Sequence, residues 1–318
     1  DYTDGTSSLL AEPQRTNLLT YSEDFTDSSW YQGNTSVIAN DVISPDGSLT
    51  ADKVTFNAVP NANIQRTTAT TVTSGIDYTF SFYAKSDSSV SNVNINMGTG
   101  DESILVTNEW QRFTKTVSST GTTIATTLVT RNSVSSYIYI WGAQLEESYA
   151  TSYIPTSGST VTRNQETYTK TGISDKINSE EGVLFAEIAR SEEENSYRLL
   201  GLDNGTSQNY IKIGFGNNNG NFWIRALVNG VTVINSDNAV SNNANQFYKI
   251  AVRYKSGDSV IYIDGVPVLT SSTTFSSGTF TDLDFTHFTG SSHFFGKVKQ
   301  LQVFKTALTD SELATLTT

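Results

Sequence analysis

Three short segments alternate apolar and polar residues with period two: Tyr78–Ala84 (YTFSFYA), Ser91–Met97 (SNVNINM) and Ser136–Trp141 (SYIYIW). Successive side chains of an extended chain point to opposite faces, so this alternation describes strands with one buried and one wetted face. Their β-branched and aromatic content suits the same state. Turn signals punctuate the chain, among them Pro45-Asp46-Gly47, Ser74-Gly75 and Asn229-Gly230, residue types that supply the backbone conformations tight turns require. Short strands at this spacing predict an all-β chain built from antiparallel β-sandwiches. One segment asks for a helix. Thr309 and Glu312 stand at capping-box spacing ahead of Leu313 and Leu316, which predicts a short closing helix packed on the last sandwich.

With 318 residues the chain has room for two domains of ordinary size, each able to bury a core without covalent staples. The strand rhythm lapses in TSYIPTSGSTVTRNQETYTKTG, residues 151–172, and restarts at Val183. We therefore expect a first sandwich over residues 17–162 and a second over residues 163–318. Residues 1–16 read as a linker or the end of an upstream region, and the missing initial Met predicts a piece of a longer chain. There is no cysteine, which excludes a disulfide framework and zinc-thiolate sites. No run approaches the roughly 20 apolar residues of a membrane-spanning helix, and the first residues lack the signal-peptide pattern.

The net charge is −12, from 20 Lys+Arg against 32 Asp+Glu. The basic residues are scattered, without the clustered cations that neutralise phosphates, so nucleic acid is excluded as a partner. A highly sulfated or carboxylated polymer is repelled by the summed charge unless a divalent cation bridges the two.

No catalytic constellation is complete. The two histidines, His287 and His293, lie in TDLDFTHFTGSSHFF, but no G-x-S-x-G elbow exists to complete a nucleophilic relay. A metal held by His287, His293, Asp282 and Asp284 is the alternative, and polar residues around a surface turn explain the cluster more simply. GFGNNNG at residues 214–220 lacks the Lys-Ser/Thr ending of a phosphate loop and precedes a strand. It reads as a hairpin tip between Tyr210–Ile213 and Asn221–Arg225. Glu192–Glu194 reads as a solvated charge run rather than the facing pair of a glycosidase.

Other stretches are more specific. NLLTYSEDFTDSSW (residues 17–30) and, much later, YIYIWGAQLE (residues 137–146), with IDYTFSFYAKSD and NEWQRFTKTVSS between them, resemble the strands of family 4/9-type carbohydrate-binding jelly rolls. Together with SSLLAEPQRTNLL before and ATSYIPTSGSTVTR after, residues 7–163 resemble modules common in bacteriophage tail and fibre proteins. NQFYKIAVRYKSGDSVIYIDGVPV (residues 245–268) and GKVKQLQVFKTALTDSEL (residues 296–313) resemble a concanavalin A-like, laminin-G-like lectin sandwich. The resemblance implies a jelly roll followed by a concanavalin A-like sandwich. It also implies that the SEDF segment enters the first strand, with Phe25 and Trp30 buried. Some jelly-roll relatives hold a structural calcium here, shared with an acidic residue of the closing strand. By that resemblance Glu23, Asp24 and Asp27 are the candidate Ca2+ ligands, calcium preferring hard oxygens. Trp141-Gly142 stands where those relatives carry the closing-strand acid.

Sugar faces stack on flat aromatic rings, while amides and charged groups take the hydroxyls. In the first sandwich the candidate ligand-binding residues are Trp141 and Tyr31, which faces opposite to its neighbour Trp30. In the second they are Tyr197, Arg198, Tyr210, Trp223 and Arg225. The expected function is a non-enzymatic, glycan-binding adhesin of a phage tail or fibre. It would be displayed on the virion surface or extracellularly, contact host cell-surface polysaccharide and gain avidity as a homo-oligomer. No membrane insertion is expected. Two alternatives stand beside it: a decoration or spacer role in a virion appendage, and a polysaccharide lyase or hydrolase. The Glu-x-Asp-x-x-Glu and Gln-Ile-His-type strand motifs of such enzymes are absent.

Overall fold

The computed structural model describes residues 7–88, 90–191, 196–217, 220–287, 289–290 and 292–318, and the side chains of residues 91 and 237–239 are outside that set. Glu192–Glu194 therefore lie outside the described residues, as do residues 218 and 219 of the glycine-rich tip. Among the described residues the chain is all-β apart from one closing helix and one turn of 3-10 helix. It divides into two compact units, Gln14–Asn164 and Asp1–Pro13 together with Gln165–Thr318.

The unit Gln14–Asn164 pairs two five-stranded antiparallel sheets. One runs in the order Asp101–Val106, Val90–Asn96, Thr127–Thr130, Asn63–Arg66, Trp30–Gly33. The other runs Gln111–Ser118, Asp77–Lys85, Ser136–Glu147, Ala51–Phe56, Thr35–Val42. Val93, Ile95, Leu128 and Ile64 of the first sheet meet Phe80, Phe82, Ile138, Ile140, Val54 and Phe56 of the second in one core. Period-two alternation then sends Tyr83 and Lys85, and likewise Tyr137, Tyr139 and Trp141, to the outward face of the second sheet. In Ser136–Glu147 the pairing with Asp77–Lys85 shifts register between Trp141 and Gln144. Gly142 sits in that bulge at φ +66°, a left-handed conformation that favours glycine.

The opening segment departs from its expected strand. Residues 22–29 form turns, and the strand starts only at Trp30. The carboxylates cause this: Asp24 Oδ1 accepts hydrogen bonds from the amides of Thr26 and Asp27, and Asp27 Oδ1 from that of Ser29. Such Asx bonds curl the backbone. Phe25 and Trp30 are buried as expected, their ring centroids 4.9 Å apart.

The second unit pairs two six-stranded antiparallel sheets. The first runs Leu9–Ala11, Gly296–Phe304, Glu181–Arg190, Tyr248–Lys255, Ser259–Ile263, Val266–Ser271. The second runs Thr169–Lys170, Asp282–Asp284, Arg198–Asp203, Tyr210–Phe215, Asn221–Val228, Val231–Ser241. Leu184, Ala186, Ile250 and Ile261 pack against Leu200, Ile211, Ile213 and Ile224 in the core. The alternate residues Val183, Phe185 and Ala251 face the other way, onto Leu313 of the helix Asp310–Thr317. The capping box forms as expected: the Glu312 amide donates to Thr309 Oγ1 and the Thr309 amide to Glu312 Oε2.

Residues 1–16, expected as a linker, instead carry two short strands. Leu9–Ala11 extends a sheet of the second unit by pairing with Gly296–Phe304, and Ala11 enters that core. Arg15–Asn17 pairs with Val161–Arg163 inside the first unit. Just outside that ribbon the Glu12 amide donates to the Glu166 carboxylate and the Glu166 amide to the Glu12 carbonyl. The first sandwich is thus inserted into the second. Among the described residues no helix is long and apolar enough to cross a membrane.

Candidate functional site

The outward face of the sheet holding Asp77–Lys85 gathers aromatic and cationic side chains. Register places Arg112 opposite Tyr83 and Tyr83 opposite Trp141. In the next row Lys85 and Lys53 flank Tyr139 from either side, and Tyr137 lies opposite Thr55. The Arg112 guanidinium stands 5.5 Å over the Tyr83 ring and donates from Nη2 to Ser81 Oγ at 2.9 Å. Lys85 Nζ lies 5.2 Å over Trp110, and Lys53 Nζ 4.1 Å over Tyr137.

Trp141 is wedged rather than open. Its ring centroid is 5.5 Å from that of Tyr83 and 4.4 Å from that of Tyr153, its Nε1 donates to Thr50 Oγ1 at 3.0 Å, and it is 3% exposed. Trp141, expected as a stacking surface, is therefore the floor on which Tyr83 and Tyr153 are set. The partly exposed rings are Tyr83, Trp110, Tyr137 and Tyr153. Asp87 accepts hydrogen bonds from the hydroxyls of Tyr137 at 2.9 Å and Tyr139 at 3.2 Å. Burial, then the Asp87 carboxylate, pushes the Tyr139 phenol up to about 12. The hydrogen bond to Asp87 raises Tyr137, and burial raises Tyr153. All three stay neutral donors at ordinary pH.

The second unit brings four of its five candidate residues to one face. Tyr197, Tyr210 and Trp223 cluster with Leu199 and Leu227, and Arg225 lies on the same face, opposite Lys212. The His287 ring stands 4.9 Å from Tyr197 and 5.8 Å from Trp223. Burial, then the Lys212 charge, lowers the His287 pKa and keeps it neutral. These rings mostly serve packing, since Trp223 is 6% and Tyr210 1% exposed. Arg198 faces the opposite way, its guanidinium 4.7 Å over Phe295 and bonded to the His293 carbonyl.

Beneath this cluster Lys212 is fully buried between two carboxylates, 2.6 Å from Asp203 Oδ2 and bonded to Asp284 Oδ1. Lys212, Gly201 and Asp284 occupy one cross-strand row. A side chain at Gly201 would block that path, because its Cβ would fall 1.9 Å from the Ile211 carbonyl oxygen. Burial opposes the charge on Asp203, but Lys212 holds it below the usual carboxylate range, whereas burial dominates and raises Asp284. With Asp284 tied to Lys212 and His287 stacked on aromatics, these residues form a structural network.

The calcium candidates do not converge. Glu23 accepts from the Tyr153 hydroxyl, and Asp24 and Asp27 hold turn amides. Among the described residues no group of three or more His, Asp or Glu is placed to hold a metal ion. Tyr31 is 53% exposed, on the edge strand of the other sheet from Trp141.

Residues 182–314 match the family model of the concanavalin A-like lectin/glucanases superfamily, in line with the resemblance of the second half. No curated protein matches the sequence. Among solved structures the chain is similar to the CBM40 module of a Ruminococcus gnavus sialidase bound to α2,6-sialyllactose, with 16% identity, a TM-score of 0.38 and coverage of 48% of this chain and 98% of that one. It is also similar to domain 4 of an extracellular GH43 arabinanase from Geobacillus stearothermophilus in complex with arabinotriose, with 14% identity, a TM-score of 0.38 and coverage of 50% and 73%. The NanB sialidase of Streptococcus pneumoniae is a third, with 15% identity, a TM-score of 0.39 and coverage of 46% and 26%. Likeness at this level fixes neither ligand nor site.

Proposed function

We propose that the chain is a non-enzymatic glycan-binding protein, and that the outward face around Tyr83, Trp110, Arg112 and Tyr137 carries the contact. One observation supports this above all: partly exposed rings and cations are preassembled on a single sheet face, with Tyr83 held by Trp141 from below. Rings fixed in this way lose little conformational freedom when a sugar stacks on them. Of the carboxylates bonded into the face, Asp87 is committed to two tyrosine hydroxyls and Glu23 to that of Tyr153, which favours holding a sugar over cleaving one. The order of motifs over residues 7–163 supports the further reading of a receptor-binding part of a phage tail or fibre. There it would meet host polysaccharide at the virion surface as one of several identical copies.

The test is binding of bead-clustered protein to a polysaccharide panel and to host cells. Tyr83→Ala and Tyr137→Ala should each weaken binding about tenfold, a loss near 1.4 kcal/mol, while each variant still melts in one cooperative transition. Silence of the parent protein across panel and cells would sink the proposal and favour a spacer role. Running the assay in chelator reads the calcium expectation, since loss of binding there would restore Glu23, Asp24 and Asp27 as ligands.

A further inference from the structure

We infer that the glycan taken by this face is acidic: a polysaccharide whose sugar rings lie on Tyr83, Trp110 and Tyr137 and whose carboxylate sits by Arg112 and Lys85. The inference rests on the glycan-binding reading and adds the ligand class. Its basis is what the cations of this face meet. Some cations elsewhere meet carboxylates, as Arg131 does Asp101, Lys212 Asp203 and Asp284, Arg253 Asp258 and Asp310, and Lys255 Glu181, while others such as Lys115 and Arg66 bond carbonyls, hydroxyls or rings. On this face Lys53, Lys85 and Arg112 meet ring faces and one serine hydroxyl, and among the described residues none has a carboxylate partner.

Arg112 adds a second observation. Its Nε is buried without a hydrogen-bond partner among the described residues, a donor that ordinarily finds an acceptor. A guanidinium suits a carboxylate because its donors form a planar fork. Lys85 is two residues along the strand from Tyr83, the residue opposite Arg112, so both cations border one patch. The acids near this surface are Asp87, Asp41, Glu23 and Asp46, of which Glu23 accepts from Tyr153 and Asp46 acts on Tyr153 at a distance. Asp87 is bonded to Tyr137 and Tyr139, and Asp41 acts on Tyr139 only weakly. Among the described residues none of these acids bonds Arg112 or Lys85. The summed negative charge does not forbid an anion there. At physiological salt the Debye length is about 8 Å, so exposed acids farther away are largely screened.

The experiment compares carboxylated polymers (polygalacturonate, alginate, hyaluronate) with the same polymers after reduction of the carboxyls to alcohols, and with neutral dextran, at rising salt. The parent protein should bind at least one acidic polymer and lose it on carboxyl reduction and at high salt. Lys85→Gln and Arg112→Gln should each weaken that binding about tenfold, with melting unchanged. Binding to neutral polymers alone, indifferent to salt and to both substitutions, overturns the acidic ligand and leaves glycan binding standing. Binding to acidic polymers that ignores both substitutions overturns this face as the anion site. No binding to any polymer or to host cells overturns both readings.

Discussion

Asp52 is a residue whose burial has a measurable sign. It lies beneath the turns at residues 22–29, where its two oxygens accept from the amides of Phe25 and Asn40. Burial pushes its pKa from 3.8 up to about 6, against those two bonds and with help from Asp24 and Glu23. Between these values the folded chain holds a proton that the unfolded chain has released, so stability falls as pH rises from about 4 to about 6. The loss is of order 3 kcal/mol. Asp52→Asn should remove it, so urea unfolding at a series of pH values should give a variant-minus-parent difference that changes across this window. A flat difference would refute the assignment. Single side chains were unevenly legible in the sequence. Phe25 and Trp30 read as core and are core. Tyr83, Arg112 and Lys85 were not singled out, although the alternation of YTFSFYAK faces Tyr83 and Lys85 away from Phe80 and Phe82. What no spacing reveals is the wedge of Trp141 between Tyr83 and Tyr153, because it joins residues far apart in the chain.

At the level of the element, the bulge in Ser136–Glu147 explains Trp141-Gly142. An added Cβ at Gly142 would meet the Tyr153 ring at 3.3 Å and the Tyr83 ring at 3.4 Å, on a backbone held at φ +66°. Gly142→Ala should cost about 1–2 kcal/mol from the left-handed conformation alone and weaken glycan binding by shifting both tyrosines. Denaturant melts and the binding assay read the two effects, and an unchanged midpoint would contradict the role given to the bulge. Turns of this directness were readable beforehand. Asn229-Gly230 closes its hairpin with positive φ at each residue, as its type demands. The turn at residues 22–29 was not, because carboxylates that capture their own backbone look the same in sequence as carboxylates awaiting a metal. Leu9–Ala11 also escaped notice, since three residues are too few to show a period.

For the whole molecule, the short strand Leu9–Ala11 changes what the units are. The second sandwich needs residues from both sides of the first, and the backbones of Glu12 and Glu166 already bond to each other. Replacing residues 14–164 by a short glycine linker should therefore leave a cooperatively folding β-sandwich, checked by circular dichroism and thermal melting. A product that fails to fold would mean that the inserted unit supports its host. Deleting the first residues along with residues 14–164 is the informative contrast, because it bares the edge of Gly296–Phe304 to pairing with other chains.

The ribbon of Arg15–Asn17 against Val161–Arg163 has a consequence for how such a chain changes over generations. It brings the two crossings of the insert to one strand spacing, so any module whose ends meet side by side fits the same socket. Recombination at this seam would exchange the inserted unit while the scaffold that carries it stays as it was.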